Sequence, residues 1–130
     1  MRRLAAAFKA FGDPTRLEML GLLLVHDEIC VCDFVEVLGI TQSKASRHLR
    51  YLVHAGVLED RRAGLWVYYR VADGLAPDLR AALRGVQAAL GPVQLAALRR
   101  RLARARRRKQ AAGNACPTTR PRGRRKGVEA

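Results

Sequence analysis

Aromatic side chains are scarce in this 130-residue chain, at 5%, and no apolar run approaches the roughly 20 residues that span a bilayer. A membrane partner is therefore not expected. Residues 1–8 reach Lys9 before a leader-like apolar stretch has formed, so a secretory signal is not expected and a cytoplasmic protein is. Cysteine is limited to Cys30, Cys32 and Cys116, an odd number that argues against a disulfide framework and for reduced thiols. No nucleophile–base pair, phosphate-binding loop or paired-carboxylate site can be picked out, and an enzyme is not expected. The apolar share consists mostly of Leu, Ala and Val, which favours a mainly helical fold.

Acidic residues are also few, 11 against 25 Lys and Arg, and the resulting +14 is unevenly placed. Residues 99–130 hold thirteen bases and one acid, Glu129, for a net +12, whereas residues 1–98 hold twelve bases and ten acids, for +2. Two parts follow: a nearly neutral domain over 1–98, and a basic extension over 99–130, helical to about 109 and disordered over 110–130. Such an extension suits a polyanion, nucleic acid first, because phosphate neutralisation dominates that affinity. Arginine-rich tails are also found merely solvated.

Residues 2–11 place Leu4, Ala7, Phe8 and Phe11 on one helical stripe. Asp13 can cap a second helix and Pro14 suits its first turn, where no amide hydrogen is needed. Leu17, Leu20, Leu23 and Leu24 carry that helix to about Val25. A third helix over residues 31–38 stops at Gly39, and Thr41 caps a fourth whose buried stripe is Ala45, Leu49, Leu52 and Val53. Gly56 closes it as a left-handed cap. The two short helices around Gly39-Ile40-Thr41 read as a helix-turn-helix.

The outer face of the second of these carries Gln42, Ser43, Lys44, Ser46, Arg47 and Arg50. Amide, hydroxyl and guanidinium groups are the chemistry that reads base edges and grips phosphates in a major groove; the plain alternative is a solvated helix face. Residues 58–62 and 66–71 form a hairpin around Ala63-Gly64, with Arg61, Arg62 and Arg70 expected at or near its tip and Trp66 and Tyr68 packing within it. Placed directly after a helix-turn-helix, it reads as a wing, with Arg61 and Arg62 as DNA contacts. A further helix from about Pro77 places Leu79, Leu83, Val86 and Leu90 in one seam, is interrupted at Gly91-Pro92, and resumes with Leu95, Leu98 and Leu102. DNA-binding units this small work as dimers on two-fold sites, so the first and last helices are assigned to a homodimer interface. The expected fold is mainly α with a small β-hairpin, a winged helix-turn-helix.

These segments resemble the ArsR/SmtB family of metal-responsive repressors. The resemblance is carried by residues 9–17 (KAFGDPTRL), 28–33 (EICVCD), 41–49 (TQSKASRHL) and 64–69 (GLWVYY), in family order over residues 4 to about 90. It implies a homodimer on an inverted-repeat operator in double-stranded DNA, repressing a resistance operon until metal binds. The pair Cys30 and Cys32 is similar to the arsenic-responsive branch, which implies As(III) or Sb(III) as inducer and no cofactor for DNA binding. That branch commonly adds a cysteine three positions further on, which here is Val35. Cys116 is then the remaining candidate for a third ligand, from its own subunit or across a dimer; the alternative is two thiolates completed by hydroxide or an exogenous thiol. Zinc sensors of the family need His, Asp and Glu on the last helix, where this chain has only Asp78, and lead or cadmium sensors add cysteines before position 30, where it has none.

Sulfur ligands select soft ions, and the thiolate is the binding form. Residues two apart on a regular helix point to nearly opposite sides, so Cys30 and Cys32 can share an ion only if Cys30 lies outside the helix and Cys32 just inside. Two small residues at a helix start are the plain reading of the pair. A Cd-, Pb- or Zn-responsive repressor and a constitutive, non-specific DNA-binding protein remain open as alternatives. A thiol redox regulator is a further one, although a Cys-x-Cys disulfide closes a very small ring. His26, His48 and His54 share no helix face with the cysteines.

Overall fold

A computed structural model describes residues 1–117; what the sequence suggested for positions 118–130 lies outside the described residues. The chain forms α1 (Arg2–Phe11), α2 (Pro14–Val25), β1 (Ile29–Cys30), α3 (Val31–Leu38), α4 (Gln42–His54), β2 (Leu58–Ala63), β3 (Trp66–Val71) and α5 (Pro77–Ala111). The caps are those the residue types call for. Asp13 accepts from the Arg16 amide at 3.0 Å with Pro14 at the first helical position, and Thr41 accepts from the Lys44 amide at 3.1 Å. Gly39 and Gly56 both take left-handed backbone conformations after α3 and α4.

The sheet has three antiparallel strands in the order β1-β3-β2, one more than the expected hairpin. β2 pairs β3 from Leu58↔Val71 to Ala63↔Trp66, and β1 pairs the other edge of β3 through Ile29↔Tyr69 and Cys30↔Tyr68. A two-residue strand has no alternation to read, so only its tertiary pairing reveals it.

The last helix is broken at Gly91, whose φ of 78° and ψ of 165° are open to glycine but not to an ordinary side chain. Pro92 starts the second segment. That segment lies against α2 and α3, where Leu98, Leu102 and Ala105 join Leu20, Leu22, Leu23, Phe34 and Leu49 in one core. The approach is close enough that a Cβ on Gly21 would stand 2.5 Å from Leu98 Cδ1. Leu79, Leu83, Leu98 and Leu102 of the expected seam are buried within the chain, each burial contributing about 1.5–3 kcal/mol. The large apolar side chains left exposed on these two helices are Phe8 and Val93, among the described residues. The boundary expected at residue 99 falls inside α5, and none of the described helices is long and apolar enough to cross a membrane.

Candidate thiolate centre and nucleic-acid interface

Cys30 and Cys32 flank the first turn of α3. Cys30 is the residue before the helix, in extended conformation, paired with Tyr68 of β3; Cys32 is the second helical residue. That placement lets both sulfurs face one point, and Cys116 reaches the same point from beyond the end of α5. The Cys32 sulfur is in contact with both the Cys30 and the Cys116 sulfurs. A sulfur carries at most one disulfide, so the two contacts cannot be covalent together. The Cα atoms of Cys32 and Cys116 are 7.5 Å apart, outside the span of about 4.4–6.8 Å usual for a disulfide. One ligand atom from each of Cys30, Cys32, Asp33 and Cys116 lies within 4.8 Å of all the others. Three sulfurs converging on one point form a donor set suited to a soft, thiophilic ion.

Around the sulfurs stand residues that the sequence analysis did not single out. Asp33 is buried, and its two oxygens accept from Lys109 Nζ at 2.7 Å and Arg106 Nε at 2.9 Å. The same ammonium lies 3.0 Å from Cys32 Sγ and 3.1 Å from Cys116 Sγ. Positive charge so placed complements thiolate. Asp33 and Glu28, the acids on either side of the cysteines, are both buried and paired. Arg101 with Glu18 and the Val37 carbonyl, and Arg108 with Glu36, extend the same docking. Of the eight bases in residues 99–109, four thus pair with acids of α2 and α3. Residues 110–117, expected to be disordered, complete the last turn of α5 and carry Cys116 to the centre.

The wing touches this centre as well. Tyr68, paired with Cys30, donates its hydroxyl to the Pro117 carbonyl at 3.1 Å. Burial pushes the Tyr68 phenol up, against the pull of the Arg61 charge. Arg61 stacks 4.6 Å over the Tyr68 ring and holds Glu28 with two hydrogen bonds of 2.7 and 3.1 Å. Arg70 is not at the hairpin tip. It pairs in register with Glu59 near the base, is buried, and forms ion pairs with Glu59 and Asp73, so its charge is spent within the fold.

On α4, Gln42, Ser43, Lys44, Arg47 and Arg50 are exposed and Ser46 is half-buried, while Ala45, Leu49 and Leu52 are buried. Arg62 is exposed on β2. Arg16 braces α4 from α2. It donates to the Ala10 carbonyl at 2.6 Å, stacks 4.2 Å over Tyr51 and lies 3.1 Å from His48 Nδ1. A guanidinium can only donate, so in this contact His48 Nδ1 is the acceptor. Burial lowers the His48 pKa; Asp13 opposes this, while Arg16, Lys44 and Arg47 add to it. His26 is lowered in the same way, by burial first and then by Arg106 and Arg99. Both histidines bind protons more readily unfolded than folded, so their contribution to stability is full above the ordinary value of roughly 6.5 and is lost as pH falls through it toward their depressed values. Urea unfolding at pH 7.5 and 5.5 should show lower stability at the acid pH, and His48→Gln should shrink that difference.

A capped helix-turn-helix with a polar, basic outer face and a three-stranded sheet beside it define a winged helix-turn-helix, with three sulfurs gathered where α3 meets the wing. Residues 13–60 match the bacterial regulatory protein arsR family. The arsenical resistance operon repressor of Bacillus subtilis is 38% identical over 73 residues, 56% of this chain and 70% of that protein. The chain belongs to the ArsR family. The arsenic resistance transcriptional regulator ArsR1 of Pseudomonas putida is 44% identical over 79 residues, 61% of this chain; the match spans 62% of that protein's length. A cadmium resistance regulatory protein CadC homolog of Staphylococcus aureus is 38% identical over 69 residues, 53% of this chain and 57% of that one. Among solved structures, the homodimeric winged helix-turn-helix domain Mb0332 of Mycobacterium bovis matches with a TM-score of 0.57 and 30% identity, over 68% of this chain and 78% of that one.

Proposed function

We propose that this chain is a homodimeric transcriptional repressor of a metalloid-resistance operon, released from an inverted-repeat operator when As(III) or Sb(III) engages Cys30, Cys32 and Cys116. The convergence of three sulfurs drawn from β1, α3 and the segment after α5 carries the reading. The naming of two relatives for arsenic resistance supports it, and the exposed Phe8 and Val93 with the homodimeric relative support the dimer. Bound arsenite would exchange its three hydroxyls for the three sulfurs, the thiol protons leaving as water.

The chain's own residues supply the coupling. Cys30 belongs to the strand that edges the wing, and Cys32 to the helix that leads through Gly39 into α4. Seating one ion between these sulfurs, which already touch, would move β1 and the start of α3 against each other and so disfavour the spacing of wing and recognition helix that DNA requires. In this mechanism Gln42, Ser43, Lys44, Ser46, Arg47, Arg50 and Arg62 contact DNA, and Arg61 adds phosphate contact only by leaving Glu28. Linkage requires DNA to weaken ion binding by the same factor, typically worth about 1–3 kcal/mol.

The test is fluorescence anisotropy of reduced protein on its labelled upstream promoter, titrated in parallel with arsenite, zinc and cadmium. Arsenite is expected to release the operator from the native chain, while Cys32→Ser protein stays bound at the same concentration. Release by cadmium or zinc alone would move the chain to another branch. Operator binding without sequence preference, with a steep salt dependence and no response to any ion, would make it a constitutive DNA coat.

A further inference from the structure

Asp33 is the one member of the four-residue cluster that is not a thiol, and both of its oxygens are held in ion pairs. Lys109 covers Oδ1, the oxygen that lies 3.8 Å from Cys116 Sγ, and Arg106 covers Oδ2. The Lys109 side chain is 9% exposed and that of Asp33 is 6%, so water does not readily take over either half of the pair. The ammonium also lies against two of the three sulfurs.

We infer that Lys109 is a specificity-determining residue, which withholds Asp33 from the sulfur centre and so keeps it a three-sulfur site that disfavours four-coordinate divalent cations. The inference rests on the thiolate-centre reading given above. Two physical consequences of the geometry support it. A tetrahedral ion such as zinc needs four donors, and the fourth atom within reach is Asp33 Oδ1, which must leave a buried ion pair to ligate. A divalent ion also arrives carrying charge and meets an ammonium about 3 Å from two of its prospective ligands. Arsenite arrives as an uncharged hydroxide and needs three sulfurs, so neither obstacle applies to it. The effect of Lys109 therefore falls on the ratio of affinities rather than on sulfur binding as such, which is specificity by penalising the wrong ligand.

The experiment measures cadmium and arsenite dissociation constants on the reduced full chain, by direct titration without DNA. Cadmium is followed by its sulfur charge-transfer absorption, and arsenite by competition. Lys109→Met is expected to shift the cadmium-to-arsenite affinity ratio toward cadmium by about tenfold or more, the scale on which groups next to a metal site act. Adding Asp33→Asn in the same chain is expected to remove most of that gain, because the freed carboxylate oxygen is then lost as a ligand and only the relief of charge remains. An unchanged ratio in Lys109→Met overturns the inference. So does a gain that persists undiminished in the double variant, since the ammonium's charge alone would then account for it and Asp33 would play no part. Should Lys109→Met lose its helical circular dichroism, Lys109→Gln makes the same comparison, with a smaller expected shift because its amide still donates to Asp33. Failure of arsenite to bind the native chain would sink the metalloid reading itself, and is seen separately from the ratio.

Discussion

Replacing Cys116 with serine should raise the arsenite concentration that releases operator by about a hundredfold, and leave operator affinity without arsenite unchanged. The reason is one of effective concentration. Cys116 is held against Cys32 by the docked end of α5 and by the Tyr68–Pro117 hydrogen bond. A tethered ligand of this kind acts at an effective concentration on the order of millimolar or higher. Without it the third sulfur must come from solution, and with a monothiol present at about 10 µM the deficit is roughly two powers of ten, or about 2.7 kcal/mol. Millimolar glutathione should then restore much of the response, with a phosphine as the only other reductant. Anisotropy of the labelled operator across glutathione concentrations reads both effects. A Cys116→Ser protein that responds like the native one at low thiol would show that Cys30 and Cys32 suffice. The third sulfur would then be an idle neighbour.

Asp33→Ala should be the most damaging single change outside the apolar core, costing about 3–5 kcal/mol, because it strands the buried Lys109 ammonium. The Arg106 partner is 39% exposed, so water compensates much of its loss and adds little. Part of the cost is local: the ion pairs of Asp33 help hold residues 99–117 on α3, so the segment should open at a free energy below that of global unfolding. Trypsin, which cleaves after Arg and Lys, should then cut the segment between Arg99 and Lys109 much faster in the variant than in the native chain. Urea unfolding gives the global figure. The pair Asp33→Ala with Lys109→Met removes both charges together and should recover most of the loss. A single variant that is as stable and as protease-resistant as the native chain would mean that Leu98, Leu102 and Ala105 alone dock the segment.

The two predictions concern one assembly, and its parts differ in how far they could be read from sequence. Helix caps were legible because they are local. Asp13 before Pro14, and Thr41 before the 42–54 helix, can bond their own backbone amides without help from distant residues. The wing's Leu58–Ala63 and Trp66–Val71 strands were legible, within one residue of their observed ends, as two strand-like runs around Ala63-Gly64. Arg70 misled, because its alternation places it on the same strand face in any case, and only the register with Glu59 shows that its charge is cancelled. The run of bases after residue 98 was legible only as charge. Composition reads it as an extension for a polyanion, whereas helical periodicity on α5 brings Arg101, Arg106, Arg108 and Lys109 onto acids of α2 and α3 more than 70 residues earlier in the chain.

The sequence by itself determined the order of the helices and of the β2–β3 hairpin, the turn between α3 and α4, the polar face of α4, and the placement of Cys30 just outside a helix with Cys32 just inside. Each of these follows from interactions within a few residues: capping, periodicity and the backbone limits of glycine and proline. The tertiary structure alone decided that β1 edges the wing, that Lys109 and Arg106 enclose Asp33, and that Cys116 stands 84 residues along the chain yet beside Cys32. These contacts depend on where the break at Gly91 sends the second half of α5, and on the close approach over Gly21 that buries Leu98. A direction set by packing in three dimensions leaves no periodic trace in the residues it brings together.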